Sequence, residues 1–183
     1  IPGKEFIRSN MLKWAFSYLR TFPWRKFENL TPYRILLAEL LLKRTTAVAA
    51  ARAYESFLAN YPTLEELSSA SQEELKLRFQ PVGLYIQRAS ATARLTEYLA
   101  NAHGGKVPSN LNDLCKVPGL GPYSARAILS FGFGQPYAVV DSNVQRILRR
   151  VYGSQLDDKT PLKVYQRLAD ELLPRKSHRQ FNL

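Results

Sequence analysis

The sequence predicts an all-α fold, and three observations carry that expectation. No stretch sustains the period-two alternation that a half-buried strand requires. Apolar residues recur at helical spacing instead. The segments in which they do so are bounded by residues that start helices, such as Ser or Thr three places before Glu, and by Gly or Pro that stop them.

Taken in order, Ser9 to Phe22 reads as a first helix with Leu12, Phe16 and Leu19 on one face, ended by Pro23-Trp24-Arg25. Thr31 caps a helix that opens on Pro32, whose fixed φ and missing N–H suit a first helical position. Ile35, Leu36, Leu37, Leu40, Leu41 and Leu42 leave this helix almost no polar side, so it is expected to be buried. Glu39 lies in its middle. An ionised carboxylate there is costly, so Glu39 either occupies a narrow solvent face, pairs with an arginine, or faces a polar cleft.

Lys43-Arg44-Thr45-Thr46 closes that helix, and Ala47 to Asn60 forms the next, halted before Pro62. Thr63 with Glu66 and Ser71 with Glu74 are two capping boxes, so two short acidic helices with solvated glutamates follow. Pro81-Val82-Gly83-Leu84-Tyr85 reads as a turn, and Ile86 to His103 as a long helix ending at Gly104-Gly105. Leu111, Leu114 and Cys115 then recur at helical spacing, which puts Cys115 on an apolar face. Val117-Pro118-Gly119-Leu120-Gly121 breaks that helix with two glycines able to take positive φ. Pro122, Ala125, Ile128 and Leu129 resume the stripe. Asp141 heads an arginine-rich helix ended by Gly153, and Thr160-Pro161 opens a last helix running through Leu173 to Pro174.

The 183 residues leave room for one substantial core or two small helical lobes. Lys and Arg number 26 against 15 Asp and Glu, a formal charge of +11 that points to a polyanionic partner. The ends carry most of the excess: residues 1–42 hold seven basic against three acidic side chains, and residues 142–183 nine against four. One cysteine and two histidines supply neither a zinc ligand set nor an internal disulfide, so an intracellular protein is expected. No apolar run approaches the ~18 residues of a membrane span, and the start lacks a signal-peptide layout. The absent initiator methionine suggests a trimmed or partial chain.

A helix, a glycine hairpin and a second helix present backbone N–H groups suited to a phosphate oxygen. Each part has a plainer use as well, the hairpin as a connection and Asp141 as an N-cap. The combination V-P-G-L-G, a helix, then V-V-D-S-N-V-Q-R resembles the signature of the helix-hairpin-helix DNA glycosylase superfamily, in its endonuclease III and adenine glycosylase branch. The resemblance runs from about Trp14 to the last residue. It implies a two-lobed helical fold with the active site in the groove between lobes. A central lobe of residues 30–138 would contain the hairpin at about 111–132, and residues 1–29 with 139–183 would form the second lobe.

The same resemblance implies roles. Gly119, Gly121 and Ser124 of the hairpin would hold the DNA backbone, and Asp141 would do the chemistry. The segment L-L-A-E-L-L-L-K-R-T-T-A looks like the motif in which a glutamate faces the flipped nucleotide, which points to Glu39. Leu84, in a G-L-Y loop, would either enter the base stack or simply pack in the core. Lys43 and Arg44 would meet the opposite guanine or a phosphate. Strand-cutting relatives carry a lysine where this chain has Tyr123, and a phenol cannot form their Schiff base. That tyrosine, with L-L-K-R-T-T-A and V-G-L-Y-I-Q-R-A, resembles the archaeal-type thymine mismatch glycosylases, which remove thymine or uracil opposite guanine.

Breaking a base–deoxyribose bond develops oxocarbenium character at the sugar, which a carboxylate stabilises. Asp141 would do this, orient water, or bond transiently to the sugar. Glu39 would protonate or hydrogen-bond the departing base, or help place water, for which a raised pKa is useful. The expected activity is therefore monofunctional excision of thymine or uracil from mismatched double-stranded DNA by a DNA-associated monomer, with a separate nuclease acting on the abasic product. An adenine glycosylase for A/G pairs and a non-catalytic DNA-binding module are the alternatives. The family commonly continues into four cysteines that bind an iron–sulfur cluster. Cys115 alone cannot hold one, so no cofactor is supported within this chain, and a cluster would need cysteines beyond Leu183.

Overall fold

The structure, a computed structural model, describes residues 3–153, 156–157 and 159–183, and among them there is no strand. Contacts divide the chain into two compact units, Thr21–Phe133 and the pair of segments Ile1–Arg20 and Gly134–Leu183. The sequence had suggested divisions at 29/30 and 138/139. Residues 21–29 group with the larger unit because Trp24 is buried edge-on against Tyr54, with ring centroids 5.8 Å apart.

In the larger unit the helices are α2 (Pro32–Leu42), α3 (Ala47–Asn60), α4 (Leu64–Ser69), α5 (Gln72–Phe79), α6 (Tyr85–His103), α7 (Leu111–Lys116) and α8 (Pro122–Ala127), after α1 (Lys4–Tyr18) of the other unit. The expected caps hold at Thr31 and in the complete capping boxes Thr63/Glu66 and Ser71/Glu74, and the Thr46 and Asn110 side chains also accept N-terminal N–H groups. α2 is the core helix, with Leu36, Leu37 and Leu41 at zero exposure. Full burial of one such side chain stabilises by about 2 kcal/mol, so these three together can offset a costly polar neighbour. α2 packs on α3 and on a π turn, Ile128–Gly132, that continues α8. The π turn is closed by the Phe133 N–H donating to the Ile128 carbonyl at 3.1 Å.

Cys115 is exposed, not on an apolar face as its spacing suggested. α7 has only six residues, and Leu114 with the following Val117 supplies its buried side. Of the two hairpin glycines only Gly119 is left-handed, at φ 82°; Gly121 is an extended N-cap at φ −100°.

The smaller unit holds α1 (Lys4–Tyr18), α9 (Ser142–Tyr152), α10 (Leu162–Leu172) and α11 (His178–Asn182). α1 begins and ends earlier than the expected Ser9 to Phe22 because Leu19 turns extended, at ψ 124°. Its buried residue is Ala15, whereas Phe16, expected on the inner face, is 85% exposed. Arg8 fixes this helix by donating from Nε to the Leu172 carbonyl at 2.7 Å and from Nη2 to Leu173 at 3.0 Å, at the negative end of α10. α10 is shorter than the expected Thr160 to Pro174, since Leu173 is extended, and α11 has no periodic apolar signal in sequence.

Gly132 shows where packing is tightest: a Cβ built on it would lie 2.8 Å from Pro32 Cα and 3.1 Å from Pro32 N, both backbone atoms. Gly132→Ala should therefore destabilise by about 1 to 3 kcal/mol in urea unfolding. Gly121→Ala, with nothing within 4 Å and an ordinary φ, should change stability by no more than about 0.5 kcal/mol.

Candidate active site

Glu39 interrupts the apolar surface of α2 and is partly buried. Burial pushes its carboxyl up to about 7 from the ordinary 4.5, against a hydrogen bond from Ser124 and the nearby Lys43 charge, which both favour the ionised form. Ser124 is on α8 with 6% exposure. The family resemblance gave it to the DNA backbone, yet its side chain turns inward to Glu39. The reason is local: Val117 and Leu120, 1% and 6% exposed, root the hairpin, so one face of α8 must lie on α2.

Lys43 is exposed, and its ammonium donates to the Gly119 carbonyl at the hairpin tip. Burial of that head group lowers its pKa, with Glu39 opposing the shift and Arg88 adding to it. Tyr123 stands on the outer side of α8 with 43% exposure, which excludes simple interior packing. Glu39, Ser124, Lys43 and Gly119 are thus brought together, with Tyr123 on the same short helix.

Arg44 and Leu84 are the non-glycine residues at positive φ among those described, each at 52°. Such a backbone costs of order 1–3 kcal/mol and persists only where the surroundings impose it. Leu84 is 44% exposed, so it does not serve the core, and Arg44 is exposed too. Both line a mostly apolar cavity of about 180 Å3 together with Arg88 and Gly119. Sequence reasoning missed Arg88, whose buried guanidinium reaches both loops; the only hint was a charged residue in the first turn of an otherwise ordinary helix.

Asp141 lies in the other unit, at the N-cap of α9. One carboxylate oxygen accepts from the Val144 N–H at 2.8 Å and the other from Asn143 Nδ2 at 3.0 Å, which fixes its orientation. The chain leading to it, from Gly134 to Val140, is in neither helix nor strand. Side chains supply the hydrogen bonds: Asn182 donates to the Tyr137 carbonyl at 2.8 Å and accepts from the Val139 N–H at 3.1 Å. Gln166 donates to the Ala138 carbonyl, and the Ala138 N–H donates to Asp170. Asn182 and Gln166 carry no motif that would have singled them out.

Among the described residues no group of three or more His, Cys, Asp or Glu side chains converges, and Cys115 is exposed on α7. No helix among the described residues is long and apolar enough to cross a membrane.

With this geometry, the chain belongs to the HhH-GPD superfamily of base excision DNA repair proteins, whose pattern it matches over residues 37–174. It is 34% identical over 181 residues to a thymine/uracil-DNA glycosylase of Methanothermobacter thermautotrophicus, covering 98% of this chain and 80% of that protein. It is 35% identical to a thymine-DNA glycosylase of Aeropyrum pernix, over 86% of this chain and 70% of the relative. The structure of a thermostable thymine-DNA glycosylase superposes with a TM-score of 0.91 at 32% identity, covering 98% of this chain and 82% of the other.

The Glu39 environment fixes a pH dependence. The folded state holds the proton more tightly than the unfolded chain, so stability is greatest below the ordinary carboxylate value and falls as pH rises through the folded pKa. Between about pH 4.5 and 7 the parent should lose on the order of 3 kcal/mol relative to Glu39→Gln, which has no proton to lose. Parallel urea titrations of the two proteins check this; curves that keep a constant separation would show that Glu39 does not titrate in that window.

Proposed function

We propose that this chain is a monofunctional DNA glycosylase that flips thymine or uracil out of a mispair with guanine and hydrolyses its bond to deoxyribose. The observation that carries the reading is the hairpin helix α8, which presents a phenol at Tyr123 and hydrogen-bonds the Glu39 carboxyl through Ser124, while burial pushes that carboxyl up to about 7. The 34% identity to a thymine/uracil-DNA glycosylase supports the choice of base.

In this reading the glycosidic bond breaks with its electron pair leaving on the base. Glu39 in its protonated form donates to the departing pyrimidine, the oriented Asp141 carboxylate stabilises the positive charge that develops on the sugar, and water then adds to that carbon and gives up a proton to the Glu39 carboxylate. Unpairing costs a few kcal/mol and least for a mismatch, which favours T/G and U/G sites before any pocket contact forms. Arg44 offers paired donors to the orphaned guanine, Leu84 fills the vacated stack, and Gly119 and Gly121 bring backbone N–H groups to phosphate. Lys43 serves by fixing the hairpin tip to α2. The protein acts as a monomer wherever cellular DNA is kept, and leaves an abasic site for a separate nuclease.

A panel of T/G, U/G, A/G and T/A duplexes, treated with alkali after incubation, tests the reading directly. Excision of adenine from A/G with T/G untouched would transfer the chain to the adenine-specific class. Asp141→Asn should keep duplex affinity and fold, because asparagine still caps α9, while excision falls by several orders of magnitude. Excision at the parental rate would remove Asp141 from the mechanism.

Tyr123 predicts an uncut abasic strand. A lysine amine at that place would attack the sugar and give an imine that permits strand cleavage, whereas a phenol cannot. Borohydride added during turnover should therefore trap no stoichiometric protein–DNA adduct with the parent, and should trap one with Tyr123→Lys. A stoichiometric adduct with the parent would overturn the monofunctional assignment.

A further inference from the structure

Arg88, 8% exposed in the first turn of α6, has no carboxylate partner among the described residues and instead donates to four oxygens. Nε reaches the Gly83 carbonyl at 2.8 Å and Nη1 the Leu40 carbonyl at 2.7 Å. Nη2 is shared between the Lys43 carbonyl and Thr45 Oγ1, the latter at 2.6 Å. Gly83 immediately precedes Leu84, and Lys43 immediately precedes Arg44. The guanidinium therefore grips the peptide that feeds each left-handed residue.

We infer that Arg88 is the positioning residue that sets the backbone of Leu84 and Arg44 together, so that the wedge and the reader of the opposite base enter DNA as one rigid unit. The inference rests on the reading that these two residues meet the mismatch. Carbonyls at the end of α2 carry the negative pole of the helix, which lets them hold a buried cation without an acid. Arginine suits the task because its planar fork addresses several acceptors at fixed angles, which a lysine ammonium cannot do. The left-handed backbone at both sites costs free energy that these charge-assisted bonds offset. Without them each loop would relax to an ordinary φ and re-aim its side chain.

The test compares parent and Arg88→Lys by hydrogen exchange read by mass spectrometry, and by affinity for T/G and T/A duplexes. Exchange should accelerate roughly tenfold or more in residues 43–46 and 83–88, as expected for losing a hydrogen bond to a charged group, and stay unchanged in α4 and α7. Preference for T/G over T/A should fall to the level of Arg44→Ala, with T/A affinity retained. If Arg88→Lys does not fold, Thr45→Val removes one acceptor of the fork and should accelerate exchange in residues 43–46 alone. Uniform acceleration through the unit, or none in these segments, would overturn the inference, as would loosened loops with mismatch preference intact. A parent with no T/G preference would instead sink the thymine/uracil reading, leaving the exchange pattern to decide on the clamp.

Discussion

The larger unit is built around the difficulty of carrying a carboxylate on its most buried helix. α2 supplies Leu36, Leu37 and Leu41 to the interior at zero exposure, and Glu39 shares the same turns. Removing a carboxyl from water favours its neutral form, and the opposing contributions come from Ser124 and Lys43. Both depend on the hairpin: Ser124 is part of α8, and the Lys43 ammonium is tethered to the Gly119 carbonyl. The hairpin can dock so closely because Gly132 lets the chain pass Pro32 at a distance no side chain would permit. A glycine required by packing thus bears on the surroundings of Glu39, the acid of the proposed reaction.

The smaller unit answers a different demand, that of presenting Asp141 from a chain with no sheet to hold it. An extended segment exposes a donor and an acceptor at every residue, and buried groups of this kind must be paired. Asn182, Gln166 and Asp170 meet the backbone from Tyr137 to Val139 one group at a time. The segment is thus held by amide and carboxylate side chains of α10 and α11 instead of by a sheet. It delivers Asp141 to the start of α9, where the helix itself orients the carboxylate through the Val144 N–H. Capping and catalysis are thus compatible duties for one side chain in the proposed reaction.

Legibility in the sequence followed the range of the interaction. Capping boxes at Thr63 and Ser71, the Pro32 and Pro122 starts and the Gly104 stop act within one turn of chain, and the structure shows them where sequence placed them. Glu39 could be singled out because a carboxylate in an apolar run is locally anomalous. The first helix was misplaced because Phe16 and Phe22 look alike in a helical pattern. One is solvent-exposed, and the other stacks on Trp24 at 5.0 Å beyond the helix end. Cys115 failed for a similar reason, since spacing alone cannot tell which edge of a six-residue helix meets the core. Ser124, Arg88 and Asn182 act on partners 85, 48 and fewer, and 43 to 45 residues away, and nothing in their immediate sequence announces those partners.

Backbone strain adds information that composition lacks. An exposed leucine is unremarkable, since apolar atoms cover much of any protein surface. A left-handed leucine at 44% exposure is different, because the fold gains no burial to offset the unfavourable φ. Glycine at residue 84 would relieve the backbone and leave the core untouched. The side chain is therefore kept for something outside the core, and a buried guanidinium is spent on holding its backbone. The same reasoning applies to Arg44, whose charge alone would fit a contact with any phosphate. A phosphate contact tolerates a mobile side chain on a relaxed backbone, whereas reading the edge of one base requires a fixed one. In the proposed reading, the shared geometry of the two residues suits recognition of a base better than general attraction to DNA.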